Sequence, residues 1–405
     1  MEYRGIEYLR RKLNQKRRRV MERYRFYEMK DDHYTAQITI PKYLRDQYAS
    51  TVGWCAKAVD SLADRLIFKG FKNDIFNFQE LYNLNNPDIL TDSAILGALI
   101  SSCSFLYIYK DADGKVNMQS IDGGNATGII DPITGLLIEG YAVLERNRDR
   151  VPIKEAYFTR EATIYFEYGK EVVDVVEHKA PYALLVPIIN RPDAIRPFGH
   201  SRISRACMYW QDYAKRTLER SDVTAEFYSW PQKYALGTDP DAEQLESWRA
   251  TVSTFLQFDK DADGDRPVLG QFQTQSMTPF TEQLRTAAAG FAGETGLTLD
   301  DLGFASDNPS SADAIRASHE SLRVTAKKAQ HTFGTGFINA GFIGACLRDD
   351  YTYNRDIIYE VKTRWEPIFT PDAASMGAYG DAIIKISQAA PEIVTREWIE
   401  DLLGF

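Results

Sequence analysis

A chain of 405 residues that is 44% hydrophobic is long enough for two or three packed modules and too apolar for a disordered polymer. No stretch reaches the roughly 18 uninterrupted apolar residues of a membrane span, since the best of them, Ile95 to Tyr109, is broken by Ser101, Ser102 and Ser104. A net charge of −9 opposes tight general binding to nucleic acid, because that affinity comes mainly from Lys and Arg neutralising phosphates.

The first residues are charged, with no apolar core and small-residue cleavage site behind them, so the chain is expected to stay in the cytosol where it is made. Cys55, Cys103, Cys207 and Cys346 lie far apart without a CxxC pair, which predicts four reduced, structural thiols.

Ile6, Leu9, Leu13, Val20 and Tyr24 predict an amphipathic helix over Tyr3 to Met29, with the basic run Lys16 to Arg19 read as a solvated face in preference to a DNA contact. A strand at His33 to Ile40 and a helix from Pro41 to about Ile67 follow. Thr91 is expected to cap a helix over Ile95 to Leu99, leading into a strand at Phe105 to Tyr109.

Turn chemistry at Asp113-Gly114, Asp122-Gly123-Gly124, Asp131-Pro132 and Tyr168-Gly169 then predicts β-hairpins. Their strands are Val116 to Ser120, Leu136 to Leu144, Glu155 to Phe158, Thr163 to Tyr168 and Val172 to His178. With the flanking helices they make an α+β module.

Three prolines between Pro187 and Pro197 mark a boundary, after which helix dominates. Ser201 to about Ser229 has no Pro or Gly and repeats apolar or small residues every three or four positions, with Ser201 as its N-cap. Pro231 ends it. A small module is predicted next: a strand at Lys233 to Leu236, a helix at Ala242 to Phe255 and a strand at Pro267 to Phe272. Helix returns at Pro279 to Gly293.

A polar loop, Thr298 to Pro309, precedes a long helix opened by Ser310 and Asp313. Gly334, Gly336, Gly341 and Gly344 should bend that helix or admit another backbone. A strand at Ile357 to Trp365 and helices at Ala373 to Ala389 and Thr395 to Leu403 complete the chain.

The chain carries few motifs for chemistry. Gly114-Lys115 and Gly169-Lys170 lack the upstream glycine of a phosphate-binding loop, and His319-Glu320 meets Arg323 where a zinc protease needs a second His. In Gly199-His200-Ser201-Arg202-Ile203, Ile203 replaces the glycine of a nucleophile elbow. Asp259, Asp261 and Asp263 with Gly264 match the first half of a calcium loop. Gly270 stands where its bidentate Glu belongs and Pro267 interrupts the exit helix, so an ordinary acidic loop is the preferred reading.

The order long helix, insert, returning helix, polar loop and long bent helix resembles the portal family of tailed bacteriophages. The segments that carry the resemblance are Val186-Pro187-Ile188-Ile189-Asn190-Arg191-Pro192, Phe198-Gly199-His200-Ser201-Arg202-Ile203-Ser204, Gly296-Leu297-Thr298, Leu302-Gly303, and Ser306 to Ile315.

The resemblance implies an α+β, portal-like subunit: an α/β wing over 1–197, a stem helix over 198–230, a small α/β clip over 231–275 and a second stem helix over 276–296. A tunnel loop over 297–311, a kinked helix with return to the wing over 312–370, and a short or truncated helical crown over 371–405 would follow. It implies a ring of twelve copies at the capsid portal vertex of the virion, assembled in the host cytoplasm, through which double-stranded DNA is packaged and ejected.

The implied partners are the packaging terminase, a neck or tail adaptor, and the major capsid and scaffolding proteins. No cofactor, membrane or catalysis is implied. An acidic wall suits DNA that must slide without sticking.

Asp307, Asn308, Ser310 and Ser311 would lie near DNA in the loop, and Arg202, Arg205, Lys215, Arg216 and Arg220 on the stem would face the channel or bridge subunits. The alternatives are a nucleic-acid-acting enzyme with a metal near Asp259, Asp261 and Asp263, and another virion ring component such as a neck adaptor.

Overall fold

The computed structural model describes residues 3–30, 50–168, 171–229, 233–236, 268–271, 273, 276–304, 312–369, 373–392, 394, 395 and 399. Met1–Asp31, Gly53–Met208 and Thr295–Phe405 belong to one unit, and Asp32–Val52 with Tyr209–Glu294 to a second.

The first unit opens with α1 (Ile6–Tyr27), α2 (Trp54–Ala63), β1 (Phe68–Lys72), α3 (Phe78–Asn83) and α4 (Pro87–Ser101). The strands β2 (Cys103–Lys110), β3 (Val116–Ile121), β4 (Ala126–Ile130), β5 (Leu137–Arg146), β6 (Pro152–Phe158), β7 (Ala162–Glu167), β8 (Glu171–Glu177) and β9 (Leu185–Ile189) follow. After α5 (Arg205–Ser229), the second unit holds β10 (Lys233–Leu236), β11 (Val268–Gln271) and α6 (Thr278–Thr295), whose last residue returns to the first unit. The chain continues with α7 (Ala312–Ser318), α8 (Glu320–Arg348), β12 (Lys362–Trp365) and α9 (Ala373–Ala389).

Strands β4 to β8 form an antiparallel meander in sequence order, in which the hairpin turns predict β5 to β8. Leu9 and Leu13 of α1 lie on it against Tyr141, Val143 and Tyr157, each side chain contributing about 1.5–3 kcal/mol by leaving water. Charges lock the helix in place. The Glu139 carboxylate accepts from the amides of Arg4 and Gly5 at 2.9 and 3.2 Å, at the N-terminus of α1 where the dipole favours an anion. Arg10 holds Glu155 with two hydrogen bonds, and Lys12 Nζ donates to the Gly128 carbonyl at 2.7 Å.

A second sheet has the order β3-β2-β9. β9 was not expected, because Pro187 lies within it and read as a boundary. It pairs antiparallel with β2, Pro187 facing Phe105, and as an edge strand it tolerates a residue without an N–H. The burial of α8 from Phe333 onward comes from close approach. A β-carbon on Gly336 would meet Ile188 at 2.7 Å and one on Gly341 would meet Phe78 at 2.6 Å, so these glycines admit side chains of neighbouring elements. The helical run is interrupted earlier than the glycines suggested, at His319.

Other expectations require correction. The helix predicted to Ile67 ends at Ala63, and Phe68 and Phe71 enter the unforeseen β1, which pairs with β12 and joins an aromatic cluster with Tyr82, Phe337 and Trp365. Thr91 caps nothing: α4 begins at Pro87, and Thr91 Oγ1 donates to the Pro87 carbonyl at 2.7 Å inside the first turns. The strand predicted over Ile357 to Trp365 divides into a 3-10 turn at Arg355–Glu360, opened by the Asn354 side chain accepting from the Asp356 amide, and the shorter β12. β4 and α3 were not anticipated.

In the second unit β10 and β11 pair antiparallel from Lys233 with Gln271 to Leu236 with Val268, close to the predicted strands. Tyr234 stands opposite Gly270, whose missing side chain leaves room for the ring. His33 to Ile40, Pro41, the Ala242 to Phe255 helix, and nearly all of Thr395 to Leu403 lie outside the described residues.

Candidate functional site

The candidate site is the helix pair α5 and α6 with the chain that leads into and out of it. α5 begins at Arg205, four residues later than the sequence suggests, and the bend before it is held by Ser201. Its Oγ donates to the Ile100 carbonyl at 2.6 Å and accepts from the Ile203 amide at 2.9 Å. Ser204 takes the capping role, its Oγ accepting from the Cys207 amide at 3.2 Å. The helix then runs unbroken for 25 residues, about 38 Å at 1.5 Å per residue.

Within the second unit, α6 meets α5 where Gly290 lies against the Trp210 indole. Ala214 on α5, and Ala287, Ala288 and Phe291 on α6, are buried, as are the polar Gln211 and Thr217 of α5. Glu219 is also buried at 2% exposure, and its Oε2 has no hydrogen-bond partner. Burial raises its carboxyl to about 7, opposed by the backbone amide of Ser50 and reinforced by the charge of Asp222. Nothing in the local sequence distinguishes Glu219 from an exposed helical Glu, because at helical spacing it lies off the stripe of Cys207, Ala214 and Thr217.

The five basic candidates separate. Arg202 is a bracket: its Nε donates to the Ala58 carbonyl at 3.2 Å, its Nη2 to the Thr295 carbonyl, and its own amide to the Leu99 carbonyl at 2.8 Å. Arg216 is held on its own helix, Nε donating to the Asp212 carbonyl at 3.2 Å with the guanidinium 5.9 Å from the Tyr213 ring centre. Arg205 and Arg220 are exposed and Lys215 is half-buried.

Beyond α6 the polar loop begins with a reciprocal cap. Asp301 Oδ2 accepts from the Thr298 amide and hydroxyl at 2.9 and 2.8 Å, and Thr298 Oγ1 accepts from the Asp301 amide at 3.2 Å. His319, at the head of α8, places Nε2 3.3 Å from the same carboxylate. Burial pushes Asp301 upward, but the Thr298 hydrogen bonds and the His319 ring outweigh it and leave the carboxyl below its ordinary value. One end of the loop is thereby tied to the helix that follows it. Asp307, Asn308, Ser310 and Ser311, and likewise Asp259, Asp261 and Asp263, lie outside the described residues. Among the described residues no group of three His, Cys, Asp or Glu could hold a metal ion.

No protein-family model matches the sequence. Over 390 residues, 91% of this chain and 78% of its relative, it is 26% identical to the portal protein of Mycobacterium phage L5. The chain is similar to mycobacteriophage portal proteins. The portal protein of Mycobacterium phage D29 is also 26% identical, over 403 residues that span 94% of this chain and 81% of that one. Solved structures similar to the chain include the neck of a native gene transfer agent particle computed with C12 symmetry, at TM-score 0.47 and 12% identity over 95% of this chain and 99% of that one. The virion of a native gene transfer agent particle gives 0.46 and 11% over the same shares. The similarity to the phage portal proteins spans nearly the whole chain, whereas the segments that carry the resemblance in the sequence lie between Val186 and Ile315.

Proposed function

We propose that this chain is one subunit of a portal ring at a phage capsid vertex, the channel through which double-stranded DNA enters during packaging and leaves during ejection. The observation that carries the reading is the 26% identity to a phage portal protein sustained over 390 residues. A continuous α5 and a returning α6 with a chain insert between them agree with a stem and clip. In this reading 1–197 is the wing, 198–230 and 276–296 are the stem, 231–275 is the clip, 297–311 the tunnel loop, 312–370 the kinked helix and 371–405 a short crown.

The subunit would have no chemistry of its own. A terminase would dock at the clip and supply the work of pumping, and a neck or tail adaptor would replace it in the finished virion. Twelve copies, each with a net charge of −9, would present DNA with a wall of the same sign as its phosphates, which favours sliding over sticking.

Electron microscopy of the purified full chain tests the reading. Rings with a central channel are expected; a monomer that persists at high concentration would overturn it. Deleting 307–310 should leave rings intact and impair packaging, and loss of ring assembly instead would show that the segment is a structural turn.

A further inference from the structure

β8 reads Glu-Val-Val-Asp-Val-Val-Glu, and all seven residues are exposed, Val172, Val173, Val175 and Val176 at 55, 57, 51 and 41%. It is one edge of the five-stranded sheet, with β4 at the other. An exposed edge strand with apolar side chains is a liability that a folded chain normally blunts or covers.

The register shows which face is left bare. Val175 stands opposite Ile164, and after a bulge Val172 stands opposite Phe166. Ile164 and Phe166 pack on the cluster formed by Leu9 and Leu13 of α1. The apolar face that α1 covers therefore runs on to Val172 and Val175, which no described residue covers.

The same edge is acidic. Glu171 stands directly opposite Glu167, a like-charge pairing that costs energy until a cation approaches. Lys154, opposite Glu167 on the other side, is turned to Glu145 at 3.3 Å. Among the described residues Glu171, Asp174 and Glu177 form no ion pair.

The complement is on α1. Arg17 is half-buried, Arg18 and Arg19 are exposed, and none of the three forms an ion pair among the described residues. This stretch lies toward the β4 side of the sheet: Lys12 Nζ reaches the Gly128 carbonyl of β4, and Val20 packs at Gly124 just before it. Arginine stems can cover valines while their guanidinium groups meet carboxylates.

We propose that β8 of one subunit docks on Arg17, Arg18 and Arg19 of the next copy of the chain. Two different complementary patches toward opposite edges of one sheet make a heterologous, head-to-tail contact, the kind that closes into a ring. The inference rests on the ring reading above and adds to it which surfaces meet.

The test follows assembly of the full chain against protein concentration and salt by mass photometry, with melting by circular dichroism as the check on folding. The triple variant Glu171→Lys, Asp174→Lys, Glu177→Lys should melt like the wild type, because β8 is exposed, and should assemble only at roughly tenfold higher concentration. Arg17→Glu, Arg18→Glu, Arg19→Glu should weaken assembly similarly, and joining the two sets should recover the wild-type threshold to within about threefold.

Unchanged assembly of the β8 variant, or a folded combined variant without recovery, would overturn the contact and leave the ring reading standing. A wild-type chain that never assembles would overturn the ring reading and this contact with it. Should the α1 variant fail to fold, the β8 variant alone decides: a shifted threshold that high salt abolishes in the wild-type comparison supports the contact, and no shift sinks it.

Discussion

Gly290 on α6 lies so close to Trp210 on α5 that a β-carbon on Gly290 would stand 2.4 Å from Trp210 Cε2. Alanine there gains up to about 1 kcal/mol of helix propensity but must displace a packed indole, at about 1–3 kcal/mol. Gly290→Ala should therefore lower stability by about 1 kcal/mol in urea unfolding. Adding Trp210→Leu reopens the space, so the double variant should lose less than the two single losses combined, and strict additivity would show that the contact is not tight.

Glu219 makes the protein sensitive to pH in a defined direction. Its folded value of about 7 lies above the ordinary carboxylate range, so the folded state prefers the protonated acid. Its contribution is favourable below about 4.5 and is lost as pH rises through about 7. Glu219→Gln should raise the melting temperature at pH 8 and change it little at pH 5; an equal effect at both would contradict the buried acid.

Arg202 supplies donors to two carbonyls in different parts of the first unit. Arg202→Met keeps the stem of the side chain and strands those acceptors, so unfolding free energy should fall by about 1–3 kcal/mol. DNA retention by the folded, assembled protein should keep its salt dependence. A reduced salt slope would return Arg202 to the channel wall.

Lys16 carries a buried amine with no hydrogen-bond partner, 5.3 and 5.5 Å from the ring centres of Phe105 and Phe198. Burial lowers its pKa, aided by Arg23 and Arg19, so the unfolded chain binds that proton more readily. Stability should rise with pH toward the alkaline range on its account. Lys16→Met should stabilise the protein most at neutral pH, with the gain shrinking near pH 10 in urea titrations; a loss at neutral pH would mean that the rings repay the burial of the charge.

Part of this molecule is legible at short range. α1, the hairpin strands β5 to β8, and α5 and α6 follow from apolar spacing and from Gly, Pro and Asp at the turns, because those signals act over a few residues. The same local reasoning misplaced Thr91 and Ser201. A hydroxyl before a helical stretch is a cap only where the helix starts at the next residue: Ser201 accepts from the Ile203 amide in a bend tied to Ile100, far back in the chain, and the helix starts only after Ser204.

The sequence by itself determined the mixed α+β composition, the hairpins, the helix pair around an insert, and the likeness to portal proteins. The tertiary structure alone decided that Phe68 and Trp365 share one strand pair, that the Lys16 amine and the Glu219 side chain are buried while Arg18 and Arg19 are exposed, and that Arg202 is a bracket. The physical reason is range. Backbone preferences are set by immediate neighbours, but the fate of a charge depends on which distant groups remove its water and which ones hydrogen-bond to it.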